Sequence, residues 1–125
     1  MIYGTGIDIV HADRIKKIID KHKNSFLEKV FTSNEIEESK RHRDPTYYFA
    51  GRWAVKEAFS KALGTGIGVN CNWVDIEIQN EPSGAPSCVV FGSAKKMLKT
   101  LNIINIHVSI SHDKQYACAN IILEK

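Results

Sequence analysis

The stretch from Asp44 to Gly64 constrains this chain more than any other part of it. Asp44 can cap a helix with its carboxylate, and Pro45 is preset for a first helical position. Gly64 tolerates the left-handed conformation that commonly ends a helix. The spacing predicts one long helix that opens at Asp44-Pro45, runs through Tyr47 and stops after Leu63. Val55, Phe59, Ala62 and Leu63 form an apolar face of it, and Glu57, Lys61 and Gly64 lie near one another on another face. With 125 residues in all, two separate cores would each be too small to offset chain entropy, so residues 1–125 are expected to form a single domain.

The flanking segments supply strands and shorter helices. Ile2 to Val10 mixes β-branched residues with two glycines and reads as a strand, and Asp13 to Lys21 reads as a basic amphipathic helix with Ile15, Ile18 and Ile19 at helical spacing. Thr32 with Glu35 three residues later is a capping-box signature, opening a short polar helix that ends near Arg41-His42-Arg43. Gly64 to Gly68 reads as a flexible loop. Trp73 to Ile78 alternates like a half-buried strand, residues 81–86 carry turn chemistry, and Ser87 to Phe91 reads as the return strand. A helix over Ser93 to Leu101 and strands over Ile103 to Ser111 and Tyr116 to Leu123 complete the chain, the last two joined by a turn at residues 112–115. This order lacks strict βαβ alternation, so the expected fold is α+β: a largely antiparallel sheet packed against the long helix.

Several function classes are disfavoured at this level. No apolar run is long enough to span a bilayer, and Met1 to Asp8 has no basic leader pattern, so a cytoplasmic protein without membrane association is expected. Cys71, Cys88 and Cys118 are odd in number and include no C-x-x-C pair, which reads as reduced packing thiols rather than a disulfide framework or zinc site. The net charge of +3 is small for a nucleic-acid binder. Its two basic clusters, Arg14 to Lys23 and Lys40 to Arg43, are separated by Glu28, Glu35, Glu37 and Glu38, so nucleic acid is not an expected partner. Gly4-x-Gly6 is followed by isoleucine at position 9, not the third glycine of a dinucleotide fingerprint, and no phosphate-loop motif occurs. Ser109, Ser111, His112 and Asp113 alternate along a strand and do not form a hydrolytic triad unaided.

Two carboxylates remain of chemical interest. Asp8 interrupts the apolar run Gly6 to Val10, either as an exposed alternate position or as a hard oxygen ligand for a cation. Glu57, within the long helix, either pairs with Lys61 at i+4 or joins Asp8 to hold magnesium, which typically takes one or two carboxylates and completes its shell with phosphate and water. The glycine-rich loop after Leu63 is either a plain helix cap or a place where backbone amides meet an anion.

Read together, these segments resemble the holo-[acyl-carrier-protein] synthases. The resemblance is carried by Gly4 to Val10 with Arg14-Ile15, by Phe26 to Phe31 with Thr32 and Glu35, and above all by the block Phe49 to Gly68. Gly84-Ala85-Pro86 and His107 to His112 extend it toward the C-terminus. After Val10 that family usually continues with a glutamate, where this chain has His11-Ala12.

The resemblance implies a small α+β subunit assembling into a homotrimer, with coenzyme A held between neighbouring subunits. It implies Asp8 and Glu57 as magnesium ligands and Lys61 as a phosphate-binding lysine, these three forming the catalytic set. Arg52, Ser60, Gly64 and Arg43 would help hold the nucleotide, with His112 near the phosphates at the subunit boundary. The implied reaction moves 4'-phosphopantetheine from coenzyme A to a serine of apo acyl carrier protein, as fatty acid biosynthesis requires, with either Glu57 or a metal-bound water accepting the serine proton. Arg14, Ile18 and Lys21, with Lys17 in support, would meet the acidic acceptor. The alternative from another class is a noncatalytic module that binds coenzyme A or an acidic protein through the same basic helix.

Overall fold

In the computed structural model, which describes residues 1–125, the long helix has the ends its sequence signals. It spans Pro45–Leu63. The Asp44 carboxylate accepts the Thr46 N–H at 3.0 Å, and Gly64 closes the helix at φ 88°. Its sides differ from expectation. From Tyr48 to Leu63 every residue is buried except Glu57, which is half-buried, and Lys61, which is exposed. The helix is thus wrapped almost all round, and the Glu57–Lys61 face is the one opening in the wrapping.

The elements in chain order are β1 (Ile2–His11), α1 (Ala12–His22), α2 (Asn24–Val30), α3 (Ser33–Ser39), α4 (Pro45–Leu63), β2 (Ile76–Asn80), β3 (Pro86–Val90), α5 (Gly92–Thr100), β4 (Asn105–Asp113) and β5 (Tyr116–Glu124). β1, β5 and β4 form an antiparallel sheet in that order, and β2 with β3 forms a separate antiparallel hairpin. This is the expected α+β fold. One face of the three-stranded sheet, with Val10, Ala117, Ala119, Ile121 and Leu123, packs into the core with α4. The opposite face leaves Ile7 and Ile9 of β1 61% and 64% exposed.

The strand expected over Ile103 to Ser111 lies two residues later, and His112 and Asp113, expected in the turn, pair with Ala117 and Tyr116 in the sheet; two further elements depart from the sequence reading. The strand expected from Trp73 begins only at Ile76, because Trp73–Asp75 forms a single 3₁₀ turn. The Asp75 carboxylate is drawn to the start of α5, where it accepts the Ala94 N–H and the Ser93 hydroxyl, and Trp73 stacks on Trp53 at 4.4 Å. α2 has no counterpart in the sequence reading: the cap-type residues Asn24 and Ser25 lie inside the helix and do not cap it. The residue before it, Lys23, makes no side-chain cap and sits at φ 49°, ψ −128°. That conformation suits glycine and disfavours any residue with a Cβ. Lys23→Gly is expected to stabilise the fold by about 1 kcal/mol, seen as a melting midpoint a few degrees higher.

The three cysteines are free. Burial pushes the Cys71 and Cys88 thiols up to about 12, which keeps them protonated and unreactive.

Candidate active site

Two glycines bring the site together. Gly4 and Gly6 share the α4-facing side of β1, and a Cβ at either would collide with backbone of α4, at Ala62 and Ala58 respectively. Strand and helix therefore meet backbone to backbone, closer than any side chain permits. Asp8 is the next residue on that side of the strand. Its carboxylate reaches the opening in the wrapping of α4, where the Lys61 ammonium donates to Asp8 Oδ1 at 3.1 Å and to the Ile7 carbonyl at 2.9 Å.

Asp8 faces the helix and its side chain is only 15% exposed. Lys61 pairs with Asp8 rather than with Glu57 one turn earlier. Burial, and then the nearby charge of Asp8, push the Glu57 carboxyl above its ordinary value, against the opposing charges of Lys61 and Arg14. The Asp8 charge is thus felt at Glu57. Asp8 Oδ2 is buried without a hydrogen-bond partner, and a buried carboxylate oxygen left unsatisfied is costly. Two adjacent carboxylates with a spare buried oxygen fit a hard divalent cation. No cluster of three or more acidic, His or Cys side chains surrounds them.

The remaining sequence-derived residues fall in several places. Ser60 lies beside the pair in sequence but is buried, its hydroxyl donating to the Glu57 carbonyl at 2.8 Å. The Gly64 and Gly66 amides both donate back to the end of α4, so the loop is a glycine cap. What Gly64 offers a ligand is open space, since nothing lies within 4 Å of the position its Cβ would take. Arg52 is nine residues before Lys61, which at 3.6 residues per turn puts it on the opposite side of α4, about 14 Å away along the axis. Its guanidinium lies over Tyr48 at 4.2 Å, with Nη2 3.5 Å from Asn80 Oδ1 and Nε buried and unpartnered. It lines a cleft of about 700 Å³ with Lys40, Arg41, Glu77 and Gln79. His112, on β4, approaches the Tyr47 carbonyl at 3.3 Å and packs against Gly51 at the beginning of α4. Arg43 is exposed just before α4.

On α1, Arg14 lies over the Trp53 ring at 5.7 Å. It lines a shallow groove of about 550 Å³ with His11, Asp13, Lys17 and Ile18, whereas Lys21 is exposed outside that groove. One chain therefore gathers Asp8, Glu57 and Lys61, with Arg14 beside them, and sets Arg52, His112 and Arg43 toward the other end of α4.

Sequence reasoning missed Lys56. This lysine is fully buried, and its ammonium donates to Glu35 Oε1 at 2.7 Å, to the Val30 carbonyl at 2.8 Å and to the Trp73 carbonyl at 3.0 Å. Burial holds it below its ordinary value, with Glu35 opposing that shift. The available signal was its setting among Val55, Ala58 and Phe59, where a lysine needs buried partners.

Known proteins share both the sequence and this fold. The family model of the 4'-phosphopantetheinyl transferase superfamily matches residues 4–121. A holo-[acyl-carrier-protein] synthase of Syntrophus aciditrophicus is 44% identical over 124 residues, covering 99% of this chain and 97% of that protein. Among solved structures, the synthase of Neisseria meningitidis superposes with a TM-score of 0.94 at 34% identity, covering all of both chains. The synthase of Helicobacter pylori, in complex with coenzyme A, superposes with a TM-score of 0.85 at 38% identity, over 96% of this chain and 99% of that one. A shared backbone at this level of identity, over the whole length, shows that the chain belongs to the holo-[acyl-carrier-protein] synthases of the 4'-phosphopantetheinyl transferase superfamily.

Proposed function

We propose that this protein transfers the 4'-phosphopantetheine group of coenzyme A to a serine of apo acyl carrier protein, releasing adenosine 3',5'-bisphosphate, in a magnesium-dependent reaction. The observation that carries this reading is the meeting of Asp8, Glu57 and Lys61 in the one opening of α4, with Asp8 Oδ2 buried and unsatisfied. Its transferase core rests as well on full-length relatives named as holo-[acyl-carrier-protein] synthases and on a relative's structure in complex with coenzyme A.

In the reaction the serine oxygen forms a bond to the phosphorus that bears pantetheine. The bond from that phosphorus to the bridging oxygen breaks, and adenosine 3',5'-bisphosphate leaves with the electron pair. Asp8 and Glu57 would hold magnesium, which when bound supplies a Lewis acid for the diphosphate and offsets charge on the leaving group. Lys61, half-exposed and anchored by the Ile7 carbonyl, is placed to donate to a phosphate oxygen. The serine proton would go to Glu57 or to a water beside it.

The nucleotide end of the donor needs cations that lie elsewhere. Arg52 and Lys61 point to opposite sides of α4, so a single chain does not bring both to one donor molecule. We therefore place the complete site between subunits of a homotrimer, with Arg52, Arg43 and His112 of one subunit facing Asp8, Glu57 and Lys61 of the next. The exposed Ile7 and Ile9 on the outer sheet face suit such a contact. No helix is long and apolar enough to cross a membrane, and we propose a cytoplasmic setting, where both substrates are made.

The test is intact-mass measurement of apo acyl carrier protein after incubation with coenzyme A and magnesium. The carrier should gain one phosphopantetheine, and a chelator should stop the gain until magnesium is restored in excess. A folded protein that binds coenzyme A but leaves the carrier mass unchanged would show a binding module instead. In sedimentation the protein should run at about three times the 14.1 kDa of the chain.

A further inference from the structure

The groove beside α1 has a wall that none of the roles above uses. His11 lines it together with Asp13, Arg14, Lys17 and Ile18. The ring is fixed from several directions. Its Nδ1 accepts the Asp13 N–H at 3.1 Å and so caps α1. Its edge packs on Tyr116 with centroids 4.9 Å apart and planes at 77°. The following residue ties the β1–α1 junction to the β4–β5 turn, with the Ala12 N–H donating to the Gln115 carbonyl at 2.6 Å.

A neutral imidazole carries one ring proton. With Nδ1 accepting, that proton sits on Nε2, which becomes a donor. Nε2 makes no hydrogen bond within the chain, and the His11 side chain is 37% exposed. The groove therefore presents a fixed N–H donor beside two cations, the carboxylate of Asp13 and the apolar Ile18, a net-positive combination complementary to an acidic amphipathic helix.

We propose that His11 is a specificity-determining contact for the protein acceptor, its Nε2–H donating to a carboxylate of the acidic helix that docks along Arg14, Lys17 and Ile18. This rests on the transferase reading above and adds to it a residue that none of the roles above uses.

The experiment compares His11→Asn and His11→Ala by steady-state kinetics, varying apo acyl carrier protein at saturating coenzyme A and then the reverse. Asparagine retains a short oxygen that can cap α1 and removes the reach of the imidazole, whereas alanine removes both. The carrier KM is expected to rise about tenfold in both variants, the size of losing one hydrogen bond to a charged group. The coenzyme A KM and kcat should stay within about twofold, and the melting midpoint should fall only in the alanine variant. An unchanged carrier KM in the folded asparagine variant would reduce His11 to a helix cap and overturn the proposal, as would an equal rise in the coenzyme A KM. If the wild-type protein transfers nothing, the transferase reading fails first. The contact is then judged from the dissociation constant of the carrier for wild type and the asparagine variant, where equal values overturn it.

Discussion

Glu57→Gln is expected to slow phosphopantetheine transfer by about a thousandfold while making the cation-free protein slightly more heat-stable. The loss follows from the proposed role: glutamine keeps the shape and one carbonyl oxygen but not the charge that would hold a divalent cation, nor a base for the serine proton. The gain follows from the folded-state electrostatics. Burial and Asp8 push the Glu57 carboxyl above its ordinary 4.5, so above that raised value the ionised side chain costs folding free energy. The cost is present in full at neutral pH and is relieved as the pH falls through the raised value toward 4.5. The melting midpoint of the variant should therefore exceed that of wild type at pH 7, by an amount that disappears near pH 4. Saturating magnesium should reverse the order at neutral pH, because only the wild type gains from binding. Thermal melts at two pH values, with and without magnesium, read all of this. Transfer at near wild-type rate in Glu57→Gln would remove Glu57 from the reaction.

Lys56→Met should be the most damaging change to stability, at about 3 to 5 kcal/mol. Methionine fills a similar volume, but it leaves the Val30 and Trp73 carbonyls and one Glu35 oxygen without their shared donor. Glu35 would then be a buried carboxylate with no countercharge. Its other hydrogen bonds, from the Thr32 and Ile78 amides, tie it to α3 and β2 and prevent it from escaping to water. The expected melting midpoint falls by roughly 10 to 20 °C for a chain of this size. Lys56→Arg should rescue little, because a planar guanidinium does not match three oxygens converging on one nitrogen. Denaturant unfolding of the two variants measures both statements, and a methionine variant within 1 kcal/mol of wild type would contradict them.

Local chemistry made much of the fold legible. The Asp44-Pro45 start and Gly64 end of α4 were readable to the residue because each signal acts within one turn. The Thr32–Glu35 capping box is present as read, with both reciprocal hydrogen bonds made. The failures came where distant partners decide. Trp73 to Asp75 alternates like a strand, yet Asp75 answers to the start of α5 and Trp73 to Trp53, neither visible from the segment itself.

The candidate site divides along the same line. Asp8, Glu57 and Lys61 could be singled out by residue type and by resemblance, but their convergence depends on Gly4 and Gly6 lying against Ala58 and Ala62. From sequence those glycines belong to a strand, to a failed nucleotide motif and to the family resemblance, and none of these shows the close strand–helix contact they permit. Lys56 was passed over because it is surrounded by polar atoms from segments 17 to 26 residues away.

The stacked indoles also give the protein a built-in optical reporter. Trp53 and Trp73 are the only tryptophans in the chain, and at 4.4 Å between centroids with planes 28° apart their excited states couple. They should therefore emit and show circular dichroism as one chromophore. Arg14 lies over that chromophore and lines the outer groove. An acceptor that draws the guanidinium away should change the emission directly, so docking can be followed by intrinsic fluorescence without attaching a dye.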